Sequence, residues 1–230
     1  MSLRPEEWAA LVLSLKVSLW AVALSLPLAV LVAYLLARRE FPGKGLLSAV
    51  VHVPLVLPPV VTGYLLLLTF GRNGAVGRWL EDTLGLVLAF RWTGAALAAA
   101  IMGFPLMVRA IRLAVEAVDP RLEEAAATLG APPVARFVFV TLPLISPGIL
   151  AGAVLGFAKA MGEFGATITF VANIPGQTQT LPSAIYAFLQ VPGAETAAMR
   201  LVILSLVVAI GAVVISEWLS KRVAARIGRT

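Results

Sequence analysis

Apolar residues in this chain come in runs long enough to cross a bilayer as helix, and charged residues gather where the runs end. The first run, roughly Leu11 to Ala37, closes on Arg38, Arg39 and Glu40. The second extends roughly from Leu46 to Phe70, and the third from Thr93 to Leu113. The fourth starts after Pro143 and reaches about Val171, and the fifth is about Thr196 to Trp218. About twenty such residues span the hydrocarbon layer when wound as α-helix. The pattern predicts an all-α polytopic membrane protein with five transmembrane helices, one transmembrane domain covering residues 1–230. The stretch Trp79 to Phe90 reads as a short helix on the membrane surface or a re-entrant segment; if it enters the bilayer, the count becomes six.

Polar residues and helix breakers inside the runs mark places where lipid alone is a poor neighbour. Lys16 lies near the start of the first run, where it can snorkel to the interface, and Pro27 is expected to kink the helix. The second run carries His52, Pro54 and the pair Pro58-Pro59, with Thr62 and Gly63 just beyond. Either these residues line a protein-packed pathway with irregular backbone, or they merely kink a packed helix; irregular backbone is tolerated only away from lipid. His52 is read as a hydrogen-bonding residue between helices or at the interface. In the fourth run Gly148, Gly152 and Gly156 recur every fourth residue, a smooth face that another helix can approach closely. Lys159 and Glu163 are also four apart, so they share a face and can pair. Two ionisable groups this deep belong in a protein or water interior. They are either an internal ion pair holding helices together or part of a path through the bundle.

Composition excludes several classes. Of the 230 residues 60% are hydrophobic and 13% charged, and the mean hydropathy is +0.96, too apolar for a soluble domain. The net charge of +6 does not make a nucleic-acid binder, because the basic residues sit at the ends of apolar runs rather than along a polar face. With no cysteine, disulfides, thiolate chemistry and iron–sulfur sites are out of reach. The start, MSLRPEEW, has no clear small-residue cleavage site after its apolar run, so that run reads as a retained span. GRNGAVGR at 71–78 lacks the Gly-Lys-Ser/Thr ending and the preceding strand of a phosphate loop. Trp79 and Trp92 suit an interfacial belt.

Charge also sets orientation. Segments 38–44, 109–136 and 221–229 are rich in Lys and Arg, whereas Asn173–Glu195 has none. Five spans put the basic segments on one side, predicting an outside N-terminus and a cytoplasmic C-terminus. Arg72, Arg78 and Arg91 fall outside, partly balanced by Glu81 and Asp82.

One polar stretch, Asp119 to Pro143, interrupts this hydrocarbon-soluble chain on the basic side. Asp119 and Pro120 form a natural helix start, and Glu123 and Glu124 lie near its positive end. Ala125 to Ala127 present little bulk, Gly130 ends the helix, and Ala131-Pro132-Pro133 turns the chain. A second helix is expected from about Val134, carrying Arg136, before Leu142 and Pro143 lead into the membrane. Such an element, held between two spans, fits a groove on another protein and can pass a force to both spans.

Glu124-Ala125-Ala126, Gly130, Val140, Leu142 and Pro143 together match the EAA signature of binding-protein-dependent ABC importer permeases, with Val140 where Ile is commoner. The stretch Ala158 to Tyr186 and the ISEWL ending at 215–219 resemble the molybdate permeases within that family, and the likeness covers essentially the whole chain. Sulfate and thiosulfate permeases share the Gly162–Gly165 element but resemble the rest less closely; tungstate permeases are more distant. The resemblance implies the type I ABC importer permease fold, with 119–143 as the coupling segment and Glu123, Glu124, Ala125, Ala126, Gly130, Arg136, Leu142 and Pro143 meeting a cytoplasmic ATPase.

It also implies a homodimer of permeases around one path, two ATPase subunits below, and a periplasmic or lipid-anchored molybdate-binding protein above, all in the cytoplasmic (inner) membrane. The chain has no Walker A loop, so catalysis and the use of ATP and Mg fall to the ATPase partner, and no cofactor is assigned to this chain. Pathway or gate candidates are Pro58, Pro59, Thr62, Lys159, Glu163, Thr167, Thr169 and Asn173. Neutral hydroxyls, amides and helix N-termini can steer a doubly charged tetrahedral anion without trapping it. A sulfate or thiosulfate importer is the near alternative. A non-transporting membrane scaffold would explain the glycines and prolines as packing but leave the EAA element and the Lys159/Glu163 pair as coincidences.

Overall fold

The computed structural model describes residues 4–227, so Met1 to Leu3 and Gly228 to Thr230 lie outside the described residues. The side chains of Ser216, Leu219, Ser220, Lys221 and residues 223–227 are likewise outside the description, so parts of the ISEWL ending and of the basic tail are not placed.

Helix α1, Pro5–Arg38, is a single helix that continues through Pro27. Its 34 residues make it about 51 Å long, more than a hydrocarbon layer requires, which leaves both ends in the interfacial regions. The second run is not one helix. Helix α2, Lys44–Val56, and helix α3, Pro59–Phe70, meet at a bend of 114°. Two successive prolines account for the break: each disfavours helical geometry in the residue before it, and Leu57 and Pro58 are both extended, with ψ of 142° and 134°. Pro59 then occupies the first turn of α3, where its missing N–H costs nothing.

Helix α4, Ala75–Leu84, has ten residues and stops at Gly85 in a left-handed conformation (φ +64°). It ends earlier than the surface helix expected over Trp79–Phe90. Helix α5, Trp92–Ala117, is the centre of the bundle. Its most apolar stretch is 61% buried, against 28% in α1 and 11% in the final helix.

Beyond α5 the chain forms helix α6, Pro120–Thr128, and helix α7, Pro133–Arg136. A π-helical turn at Phe137–Thr141 then leads directly into helix α8, Leu142–Met161. The fourth span, expected to reach Val171, stops at Met161, and a separate helix α9 covers Gly165–Val171. Helix α10, Leu181–Leu189, stands inside the stretch expected to be a plain connector, and helix α11 is Glu195–Ile227. Four helical stretches are long and apolar enough to cross a membrane among the described residues, or five if the bent α2–α3 pair counts as one span.

The glycine stripe serves the α5–α8 seam. A Cβ on Gly148 would strike Ala114, and one on Gly152 would lie 3.1 Å from the Ile111 side chain and 3.2 Å from the Met107 carbonyl. Small residues let the two backbones approach where lipid supplies no hydrophobic force between helices. At one end of the bundle Lys16 Nζ lies 3.7 Å from the Trp92 ring centre, and Trp20 packs on the same ring at 6.4 Å.

Candidate functional site

The polar elbow between α5 and α8 is built by local rules. Asp119 Oδ1 accepts a hydrogen bond from the Arg121 backbone N–H at 3.0 Å, and Pro120 sets the first turn of α6. At the other end Gly130 takes φ +84°. Its N–H donates to the Ala127 carbonyl and the Ala131 N–H to the Ala126 carbonyl, both at 3.0 Å. That pair of bonds closes the helix as a Schellman motif, which requires a left-handed residue where Gly130 stands. Pro132 is extended, Pro133 opens α7, and the helical path continues unbroken through Leu142 and Pro143. Leu142 and Pro143 therefore lie within a continuous helix, not at a separate entrance to the membrane.

The two glutamates divide the elbow into two faces. Glu123 turns inward: Thr141 Oγ1 donates to its Oε1 at 2.8 Å, and the Tyr34 hydroxyl lies 3.4 Å from its Oε2. Arg38 Nε is 3.4 Å from Oε1, an ion-pair distance without hydrogen-bond geometry, while Arg38 Nη2 donates to the Val118 carbonyl at 2.8 Å. Glu124 and Ala125 are exposed and Ala126 is half-buried. Leu129 is 88% exposed, Val134 74% and Phe139 78%, so apolar side chains project from the same polar elbow. Arg136 is half-buried, and its Nε has no hydrogen-bond partner among the described residues.

The second group of candidates gathers where α3 meets α9. Glycines make the approach: a Cβ on Gly63 would collide with the Ala166 backbone, and one on Gly165 with Pro59. Pro59 and Thr62 thus stand beside the start of α9, although Pro58 and Pro59 themselves are exposed. Glu163 is 2% exposed and bonded twice: Lys159 Nζ lies 2.8 Å from Oε2, and the Ala166 N–H donates to Oε1 at 2.9 Å. The carboxylate therefore caps α9 as well as pairing with Lys159. Thr167 and Thr169 turn their hydroxyls back onto the Phe164 and Gly165 carbonyls, both at 2.9 Å. Thr62 Oγ1 and Asn173 Oδ1 are buried with no hydrogen-bond partner among the described residues.

Sequence reasoning found the Lys159–Glu163 pair but missed the ionic contacts between helices, Arg38 with Glu123 and Arg200 with Glu7. Glu7 in α1, fully buried, accepts hydrogen bonds from Arg200 Nη2 at 2.5 Å and Nε at 3.1 Å, tying α1 to α11. Nearby in α1, Ser14 Oγ accepts from the Leu181 N–H at 2.7 Å and so holds the start of α10. The signal was an arginine inside the fifth apolar run, which requires an anion somewhere in the bundle.

Residues 25–225 match the family described as binding-protein-dependent transport system inner membrane component. The chain is 57% identical over 229 residues to the Escherichia coli (strain K12) molybdenum transport system permease protein ModB, covering 100% of both chains. It is 53% identical to the Haemophilus influenzae protein of the same name, covering 97% of each. Among solved structures, a chain of a bacterial alginate ABC transporter, crystallised with an alginate pentasaccharide-bound periplasmic protein, superposes with a TM-score of 0.76. It is 18% identical, and the match covers 96% of this chain and 80% of that one, a likeness of fold.

Proposed function

This chain belongs to the family of binding-protein-dependent transport system inner membrane components, and we propose that it is the multi-pass permease subunit of an ATP-driven molybdate importer that also carries tungstate. The end-to-end identity with molybdenum permeases carries the substrate reading. The outward face of the elbow supports the mechanism. Glu124, Ala125 and Ala126 lie on a short helix whose far end presents exposed Leu129. Beside the EAA residues, that exposed leucine is read as part of a docking face that a protein groove would cover.

In this reading two copies of the chain enclose one path. Each elbow sits in a cleft of a cytoplasmic ATPase subunit, the C-terminus is cytoplasmic, and a molybdate-loaded binding protein docks on the opposite side. ATP binding closes the ATPase pair, draws the elbows together and opens the path outward; hydrolysis returns it inward. The α3–α9 region is the path lining. Lys159 is neutralised by Glu163, so the dianion meets dipoles rather than a net cation that would hold it. Thr62 Oγ1, unpartnered among the described residues, is a hydroxyl there with a proton to offer an anion.

The test is ATPase activity of the reconstituted permease–ATPase complex in liposomes, with the binding protein loaded separately with molybdate, tungstate or sulfate. Stimulation by molybdate and tungstate alone is the expected result. Stimulation by sulfate alone moves the chain to the sulfate permeases while keeping the mechanism. Glu124→Lys should leave the permease inserted yet uncouple the ATPase, and normal transport in that variant would sink the docking assignment.

A further inference from the structure

We infer that Glu123 is a positioning residue that couples α6 to α1, α5 and α8, carrying force from the docked elbow into the membrane helices. This rests on the reading of 119–143 as the coupling segment. The neighbouring glutamates have opposite surroundings: Glu124 is exposed, whereas Glu123 meets side chains from two elements distant in sequence, α1 and the π-helical turn. Tyr34 and Arg38 come from the end of α1, 89 residues from Glu123 in the case of Tyr34, and Thr141 from the π-helical turn before α8. Arg38 also holds the Val118 carbonyl, the residue just before the Asp119 cap, so one guanidinium grips both the end of α5 and the first turn of α6.

The π-helical turn belongs to the same node. The Leu142 N–H bonds the Phe137 carbonyl five residues back, an underwound spacing that interrupts regular α-helix and recurs at functional positions. Thr141 at its end is fully buried and spends its hydroxyl on Glu123. Phe137 at its start stacks edge-on against Tyr34, ring centres 5.0 Å apart. The Glu123 and Arg38 side chains are 18% and 14% exposed, so water screens them little and their attraction is stronger than at an open surface. A push on α6 therefore reaches α1 through Tyr34 and Arg38, and α8 through Thr141, without passing through the turn at Gly130.

The test uses the complete permease–ATPase complex with molybdate-loaded binding protein in proteoliposomes. It reads molybdate transported per ATP hydrolysed, melting temperature, and ATPase retained on purification. Glu123→Ala removes every bond; Glu123→Gln keeps one acceptor oxygen, for Thr141, but puts an amide NH2 opposite the Tyr34 hydroxyl and drops the charge facing Arg38. Transport per ATP should fall about fivefold or more in E123A and by a smaller factor in E123Q. Arg38→Met, which also frees the Val118 carbonyl, should lower the ratio as well, and the double variant should fall by less than the product of the two single factors. Wild-type transport per ATP in assembled E123Q and E123A complexes would overturn the inference, as would a lowered melting temperature with that ratio unchanged. Should E123A fail to assemble, E123Q and R38M carry the test. Leu129→Glu serves as the separate check on docking: if it retains the ATPase fully, the coupling-segment reading fails, independently of Glu123.

Discussion

The α5–α8 seam and the polar elbow join the same two helices and are held by opposite means. The seam uses small residues, close backbones and hydrocarbon contact, with Gly148 and Gly152 lying against Ala114, Ile111 and Met107. Its contacts are completed within the chain. The elbow uses a capped helix, a left-handed glycine and a charged node, yet leaves Leu129, Val134 and Phe139 standing out. Its inner face is satisfied and its outer face is not. The seam is thus a bearing within one subunit, and the elbow, in the proposed function, is half of an interface.

The comparison can be broken most severely at Gly130. Proline there cannot adopt φ +84° and removes the N–H that closes the helix on Ala127. Gly130→Pro should reduce molybdate uptake in proteoliposomes to background while the permease remains inserted in the membrane. At the seam, Gly148→Leu forces side-chain volume against Ala114, which has no flexible end to move aside. A cost of about 1–3 kcal/mol is expected, seen as a lower melting temperature in detergent with the elbow still able to hold its partner. Leu129→Ser should do the reverse, weakening ATPase association by about tenfold at a cost near 1.4 kcal/mol, with no change in melting of the permease alone. The smallest effect is reserved for the far end of the bundle. Lys16→Met removes the cation over Trp92 and should cost about 0.5–1 kcal/mol of thermal stability, leaving both seam and elbow intact.

Much of this architecture was legible from residue order. Helical spans announce themselves by run length, and the elbow by its cap, its glycine and its prolines, because those signals act within a few residues of one another. Other expectations failed for identifiable reasons. The fourth run looks continuous to Val171 because its apolarity does not lapse, but the chain breaks at Gly162–Phe164 and Glu163 caps a new helix. The second run left open an irregular backbone or a kinked helix; two prolines in succession make it two helices at 114°. Helix α10 hides in an uncharged connector, although Thr180 followed by Pro182 and Ser183 is a recognisable start, with the Ser183 Oγ accepting from the Thr180 N–H at 2.9 Å. Lys159 and Glu163 were found as a pair from their spacing, whereas the capping role of Glu163 depends on where the chain turns next.

By itself, the sequence determined the membrane class and the helix stop at Gly130. Run length, charge count and backbone sterics are properties of neighbouring residues, and they hold whatever the rest of the chain does. Only the tertiary structure decided which glutamate of the elbow faces inward. It also decided that Glu7 meets Arg200 across 193 residues, and that the glycine stripe faces α5 rather than another helix. Such pairings depend on how whole helices rotate and cross, and that geometry is set by packing over the entire bundle.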